Sequence, residues 1–361
     1  MIIEDNIDEI DLLKTQNYFM RFSNQAYGLT LAPTMKCNFD CPYCYEKGHN
    51  LHTMSSETVT KVKEFIRNLK VSTKKLSIAW YGGEPLLAFD IIKDISKTAI
   101  EEFGEEYEAD MVTNGYLLSK RIIEQLKELR IHSIQVTIDG PPDIHNKSRK
   151  LPNGGDTFFV ILNNLSMIKE IVPDVDIAIR VNTDKTNIGR VDEILEYLDQ
   201  YHLNDKVNLY LAPIDNINGT CNASSCFSNN EFAEEQMDFI KRNYKKGYNF
   251  INIPDANLYI CGAVAGNSCI IDAEGDFYKC WDDVGRKEYR AGNLDEGLGI
   301  NTNVTQWLSY EFMEEECKNC AFLPACMGGC PNHNIRLGEK RCAPIRENAE
   351  QMVRFMYEVF S

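Results

Sequence analysis

Between residues 28 and 213 the chain alternates short apolar runs with longer amphipathic stretches. Six runs read as strands: 28–33 (GLTLAP), 75–83 (KLSIAWYGG), 108–115 (EADMVTNG), 133–140 (SIQVTIDG), 176–183 (DIAIRVNT) and 206–213 (KVNLYLAP). Short, mostly apolar runs bounded by glycine, proline or asparagine suit strands covered on both faces. Between them, Val62, Phe65, Ile66 and Leu69 recur at i, i+3, i+4 and i+7, and Ile122, Leu126 and Leu129 do the same. This spacing predicts helices over 55–71 and 119–130, the first opened by N-cap chemistry in Ser55-Ser56-Glu57. Repeated βα units predict a parallel sheet. Six are too few for an eight-fold barrel, so the expected architecture is α/β, an open or partial (β/α)6 TIM-like barrel. Such sheets place their chemistry at the C-terminal ends of the strands.

Near residue 250 the rhythm stops. A charged helix is expected over about 229–247, and the sequence then becomes irregular and rich in cysteine and glycine. The segment 268–280 (SCIIDAEGDFYKC) reads as a hairpin, and 345–360 as a closing amphipathic helix. The expected organisation is an N-terminal extension (1–27), a barrel with its linking helix (28–250) and a small cysteine-rich domain (251–361).

Composition narrows the classes. With 361 residues, 43% hydrophobic and 25% charged, the chain is ordinary globular protein of about two domains. The net charge of −16 argues against nucleic-acid or anionic-membrane partners, which would be repelled. No apolar run approaches the roughly 20 residues that span a bilayer. The acidic start, MIIEDNIDEIDLL, is unlike a secretory signal, so a cytoplasmic location is expected. In a reducing compartment, 13 cysteines clustered at 37–44, 221–226 and 261–342 point to metal rather than disulfides.

The first cluster is Cys37, Cys41 and Cys44, spaced C-x-x-x-C-x-x-C on a loop directly after the first strand. Three thiolates suit an iron–sulfur cluster with one iron left for a small chelating ligand. A zinc site with a distant fourth ligand and a set of unligated thiols are the plainer readings. With an aromatic residue, Tyr45, next in the chain, the motif resembles the signature of radical S-adenosylmethionine (SAM) enzymes. In that family the open iron holds the amino and carboxylate groups of SAM, whose reductive cleavage gives a hydrogen-abstracting 5′-deoxyadenosyl radical. Tyr81-Gly82-Gly83-Glu84-Pro85 resembles the family's GGEP motif: glycines permit close backbone approach to a ligand, and Glu84 would offer a carboxylate to an ammonium. Further strand ends carry Thr113-Asn114, Thr137 with Asp139, and Asn182, with Arg149 beyond the fourth strand. By resemblance Thr137 would meet the SAM ribose, Arg149 its carboxylate, and Asn182 the polar rim. Taken singly, each is also an ordinary turn or cap residue.

Eight cysteines follow: Cys261, Cys269, Cys280, Cys317, Cys320, Cys326, Cys330 and Cys342. Their run resembles the SPASM domain of many radical SAM enzymes, which holds two auxiliary [4Fe–4S] clusters. Carried over, Cys261, Cys269, Cys280 and Cys330 would hold the nearer cluster, and Cys317, Cys320, Cys326 and Cys342 the outer one. Two zinc-ribbon sites are the competing reading. The resemblance thus implies three [4Fe–4S] clusters and SAM as cofactors, a peptide or protein substrate, and an external electron donor such as flavodoxin or ferredoxin. It also implies oxidative modification at or near a cysteine of a ribosomally made peptide, for example thioether formation. Formylglycine formation, as in the anaerobic sulfatase maturases, is the alternative within the class, and a non-catalytic electron-transfer or zinc-binding protein the one outside it. In the maturases an aspartate base directly follows the third cysteine of the nearer cluster. Here Trp281 stands there, with Asp282 and Asp283 next as candidate bases, or as ordinary solvated carboxylates. Cys221 and Cys226 fall outside both sets and read as a free pair or as thiols near a thiol substrate.

Overall fold

A computed structural model describes residues 8–46, 51–215, 219, 222, 224–246, 248, 256–312 and 315–360. The six expected strands form as β1 (Ala26–Leu31), β2 (Lys75–Trp80), β3 (Tyr107–Thr113), β4 (Ile131–Thr137), β5 (Asp176–Thr183) and β6 (Val207–Pro213), all parallel and in sequence order. β1 and β6 do not pair, so the series stays an open, partial barrel. β5 shows why the apolar runs become strands: Ile177, Ile179 and Val181 alternate along it with no more than 1% exposure.

Helix Ser56–Lys70 forms as its spacing predicts, with Val59, Val62 and Ile66 buried and the Ser55 hydroxyl accepting from the Thr58 amide. The stretch 119–130 differs. Only Lys120–Ile123 is helical, and turns continue to Arg130, which has a φ of 55°. Of the pattern residues, Leu126 and Leu129 are buried and Ile122 is half-buried, with its neighbour Ile123 fully covered. Burial, not helicity, satisfies the hydrophobic pattern there.

The cysteine-rich part does not sit apart from the barrel. Its hairpin, β7 (Ser268–Ile271) with β8 (Asp276–Tyr278), lays β7 parallel against the free edge of β1, Gly28 opposite Ser268 and Leu31 opposite Ile271. β9 (Gly292–Asn293) and β10 (Gly297–Leu298) extend the sheet to ten strands, with β10 and β6 at its edges. Helix Glu9–Phe22, in the N-terminal extension, packs on this same part. Its Arg21, 1% exposed, donates to the carbonyls of Val264, Leu308 and Tyr310, and its Asn17 to that of Leu258. Helix Ile345–Phe360 closes the chain against helix Asn229–Asn243 through Met352, Phe355, Met237 and Ile240. No helix among the described residues is long and apolar enough to cross a membrane.

Candidate functional site

β1 ends at Leu31 and the chain leaves the sheet as an irregular loop carrying Cys37, Cys41 and Cys44. The end of β2 seats this loop. Gly83 donates its amide to the Thr34 carbonyl (3.1 Å) and Glu84 to the Lys36 carbonyl (2.9 Å). A Cβ on Gly83 would lie 2.5 Å from the Lys36 oxygen and 2.6 Å from that of Met35. At Gly82, φ is +116° and a Cβ would stand 2.4 Å from the Thr34 oxygen. The close approach that the two glycines permit is therefore to the cysteine loop itself. Glu84 turns inward: it is fully buried, its Oε1 accepts from the Leu86 amide (3.0 Å) and the Thr113 hydroxyl (2.7 Å), and its Oε2 from the Asn114 amide (2.7 Å). The carboxylate ties the ends of β2 and β3 together. Pro85 follows as the buried first residue of a single turn.

Asn114 then reaches back, donating to the Asn38 side-chain oxygen (2.7 Å) with its Nδ2 3.9 Å from the Cys37 sulfur. Sequence reasoning missed the centre of the next group, Tyr43. Its hydroxyl donates to Asp139 Oδ2 (2.6 Å) and accepts from Arg149 Nη1 (2.8 Å), with Asn182 Nδ2 at 3.4 Å. A tyrosine between the second and third cysteines thus gathers Asp139, Arg149 and Asn182, three rim residues expected from sequence, around the loop. The signal was present in Cys41-Pro42-Tyr43-Cys44, but only the rim shows what the ring reaches. Thr137 lies buried at the end of β4 on the same rim. Tyr45 faces the other way: its hydroxyl bonds that of Tyr81, whose ring packs 4.3 Å from that of Trp281.

The loop fits an iron–sulfur cluster. The Cys37 thiol feels the charges of Cys41 and Cys44, so the three are neighbours. Burial pushes the Cys44 thiol up to about 11, so it would ionise only against a metal. Asn38 Nδ2, Arg149 Nε and Asp139 Oδ1 are buried with no hydrogen-bond partner among the described residues, which suits a polar ligand at this rim.

In the C-terminal part, Cys317, Cys320, Cys326 and Cys342 line one small pocket with Glu316, Lys340 and Arg346. The expected outer set therefore converges. Of the nearer set, Cys261 and Cys280 act on each other electrostatically, as do Cys261 and Cys330. Cys269 stands apart. It lies on β7 within the barrel's apolar core, 3% exposed, against the Tyr27 hydroxyl, whereas Cys261 and Cys280 border a separate core around Trp307 and Phe312. Its side chain thus packs in the barrel rather than against the core that Cys261 and Cys280 border.

The two candidate bases separate as well. Asp283, 2% exposed, is held by Arg336 at 2.7 Å. Asp282 accepts from Asn332 Nδ2 (3.0 Å) and stands 3.8 Å from the Cys280 sulfur, and burial raises its carboxyl above the usual range. Beyond it, a cleft of about 650 Å³ lies between the end of β6 and the cysteine-rich part, lined by Asp215, Cys226, Phe227, His333 and Arg341 among others. Asp215 binds His333 Nε2 at 2.7 Å and also pairs with Arg341. Cys226 thus borders this cleft, and Cys221 lies outside the described residues.

Residues 31–198 match the family model described as the Radical SAM superfamily. The cysteine-type anaerobic sulfatase-maturating enzyme of Clostridium perfringens (strain 13 / Type A) is 24% identical over 354 residues, covering 87% of this chain and 88% of that protein. The radical SAM cyclopropyl synthase TigE of Paramaledivibacter caminithermalis is 25% identical over 352 residues, 85% of this chain and 68% of that one. Among solved structures, anSMEcpe with bound AdoMet superimposes with a TM-score of 0.71 at 16% identity, covering 92% of this chain and 99% of that one. Streptococcus suis SuiB bound to its precursor peptide SuiA does so with a TM-score of 0.63 at 15% identity, over 95% and 82% of the two chains. These superpositions establish a shared fold, the parallel partial barrel.

Proposed function

From the premise that this chain carries a radical SAM domain over residues 31–198, we propose that it oxidatively modifies a peptide or protein at or near a cysteine, for example by forming a thioether. Cys37, Cys41 and Cys44 would hold the SAM-binding cluster, and Tyr43, Arg149 and Asn182 would position the coenzyme. When bound, cluster and SAM supply the 5′-deoxyadenosyl radical that removes a hydrogen atom from substrate. An external one-electron donor such as flavodoxin or ferredoxin would feed this chemistry. Two auxiliary clusters are assigned to Cys261, Cys280 and Cys330 and to Cys317, Cys320, Cys326 and Cys342, within a C-terminal domain beginning near residue 251.

The observation that carries the proposal is the packing of Cys269 in the barrel core while Cys261 and Cys280 border another. Three thiolates leave one coordination position to a ligand from outside the set, and a soft substrate thiolate suits it. Asp282, buried beside Cys280 with its carboxyl raised, is placed to take a proton near that position. The relatives named sulfatase-maturating enzymes favour a second reading, formylglycine formation. Trp281, its ring tilted against that of Tyr81 where those enzymes would carry their base, weighs against it.

The test is anaerobic incubation of reconstituted protein with SAM, reductant and cysteine-containing peptides, followed by mass spectrometry. Loss of two hydrogens with sulfur retained is the expected product. Loss of the sulfur would favour formylglycine, and no SAM cleavage at all would overturn both readings.

A further inference from the structure

The two auxiliary cysteine sets meet different electrostatic surroundings. Around the nearer set the sulfurs receive neutral donors: the Ala263 amide reaches Cys261 at 3.3 Å and Asn332 Nδ2 reaches Cys280 at 3.3 Å. A carboxylate, Asp282, stands 3.8 Å from Cys280, while the neighbouring cation Arg336 is spent on Asp283. Lys279 is buried nearby and acts on Cys261 electrostatically, with its ammonium hydrogen-bonded to the carbonyls of Ala265 and Ser268.

The outer set is different. Arg346 Nη1 lies 3.0 Å from the Cys342 sulfur, and the guanidinium also acts on Cys320. The other charged groups of the cavity wall, Lys340 and Glu316, face each other at 3.4 Å and largely cancel. Lys318 pairs with Glu315. Arg346 is thus the cation in direct contact with an outer sulfur. Its place is costly to the helix that carries it. Helix Ile345–Phe360 begins one residue earlier, and a cation in a first turn opposes the helix dipole. The same helix end turns the Ala343 amide onto the Cys326 sulfur at 3.4 Å.

The reduction potential of an iron–sulfur cluster rises with hydrogen bonds to its sulfurs and with nearby positive charge, because reduction adds a negative charge. We infer that Arg346 is a tuning residue of the outer auxiliary site, raising its potential through direct contact with Cys342. This rests on the two-cluster assignment proposed above.

Redox titration of the full-length, anaerobically reconstituted protein, followed by EPR at low ionic strength because Arg346 is exposed, tests the inference. Arg346→Gln is expected to shift the outer one-electron equilibrium about tenfold toward the oxidised state, a fall of about 59 mV, with the nearer signal unmoved. Arg346→Lys, which keeps the charge, should restore most of the shift. An outer midpoint unchanged in Arg346→Gln, or a shift shared equally by all clusters, overturns the inference. A parent protein with only about four irons per chain, one cluster's worth, would overturn it differently, by removing the two-cluster reading beneath it.

Discussion

Glu84 and Cys269 show how much a single side chain's direction decides. Glu84 is a buried carboxylate whose oxygens meet three donors of the chain itself. Glu84→Gln would turn an amide N–H toward one of those donors and is expected to cost about 1–3 kcal/mol, read by chemical denaturation. Cys269→Ala should leave the iron content and the spectra of the reconstituted protein unchanged, whereas Cys261→Ala should lose iron from the nearer site; iron loss in Cys269→Ala would restore it as a ligand. The sequence announced the first three cysteines by their spacing and most rim residues by their position at strand ends. It was silent on which way each points. Tyr43 went unread because its partners Asp139, Arg149 and Asn182 are far along the chain, and Cys269 was counted as a ligand because spacing carries no strand face.

Among elements, the turn after β2 works as a seat for the cysteine loop. Gly83→Ala would force a Cβ against two backbone carbonyls that cannot yield as a flexible side chain would. Its expected result is loss of SAM cleavage and of the SAM-binding cluster's signal, with the iron of the proposed C-terminal sites retained. The β7–β8 turn yields a pH prediction. Burial pushes the Asp272 carboxyl up to about 6 from its ordinary 3.8, so the folded chain keeps a proton that the unfolded chain has released. Stability therefore falls as pH rises through the window between those values, and the whole penalty is present above it. Asp272→Asn, able to accept the same two backbone amides, should erase that slope; denaturation curves whose separation from the parent stays constant across the window would refute it. The six strands were legible because buried apolar residues recur along each, as Ile177, Ile179 and Val181 do on β5. The helix expected over 119–130 was not, since turns can bury Ile123, Leu126 and Leu129 as well as a helix can.

At the level of the whole molecule, the boundary expected near residue 250 is crossed by backbone pairing. Helix Glu9–Phe22 belongs to this second linkage, since Arg21 caps carbonyls of the C-terminal part. Arg21→Met would leave three carbonyls short of a donor and is expected to lower stability by about 3 kcal/mol or more, with faster limited proteolysis within 9–22. An unchanged cleavage rate would show that the helix docks by its apolar contacts alone. No local pattern could have foretold either linkage, because both join segments that are distant in sequence. The seam between β1 and β7 also has a temporal side. During synthesis the first barrel strand leaves the ribosome early, yet its second neighbour emerges only after the SAM-loop cysteines and all six barrel strands. Until then one flank of β1 stays unpaired, open to chaperones or to wrong partners, and a gene cut off after the barrel would freeze the chain in that vulnerable interval.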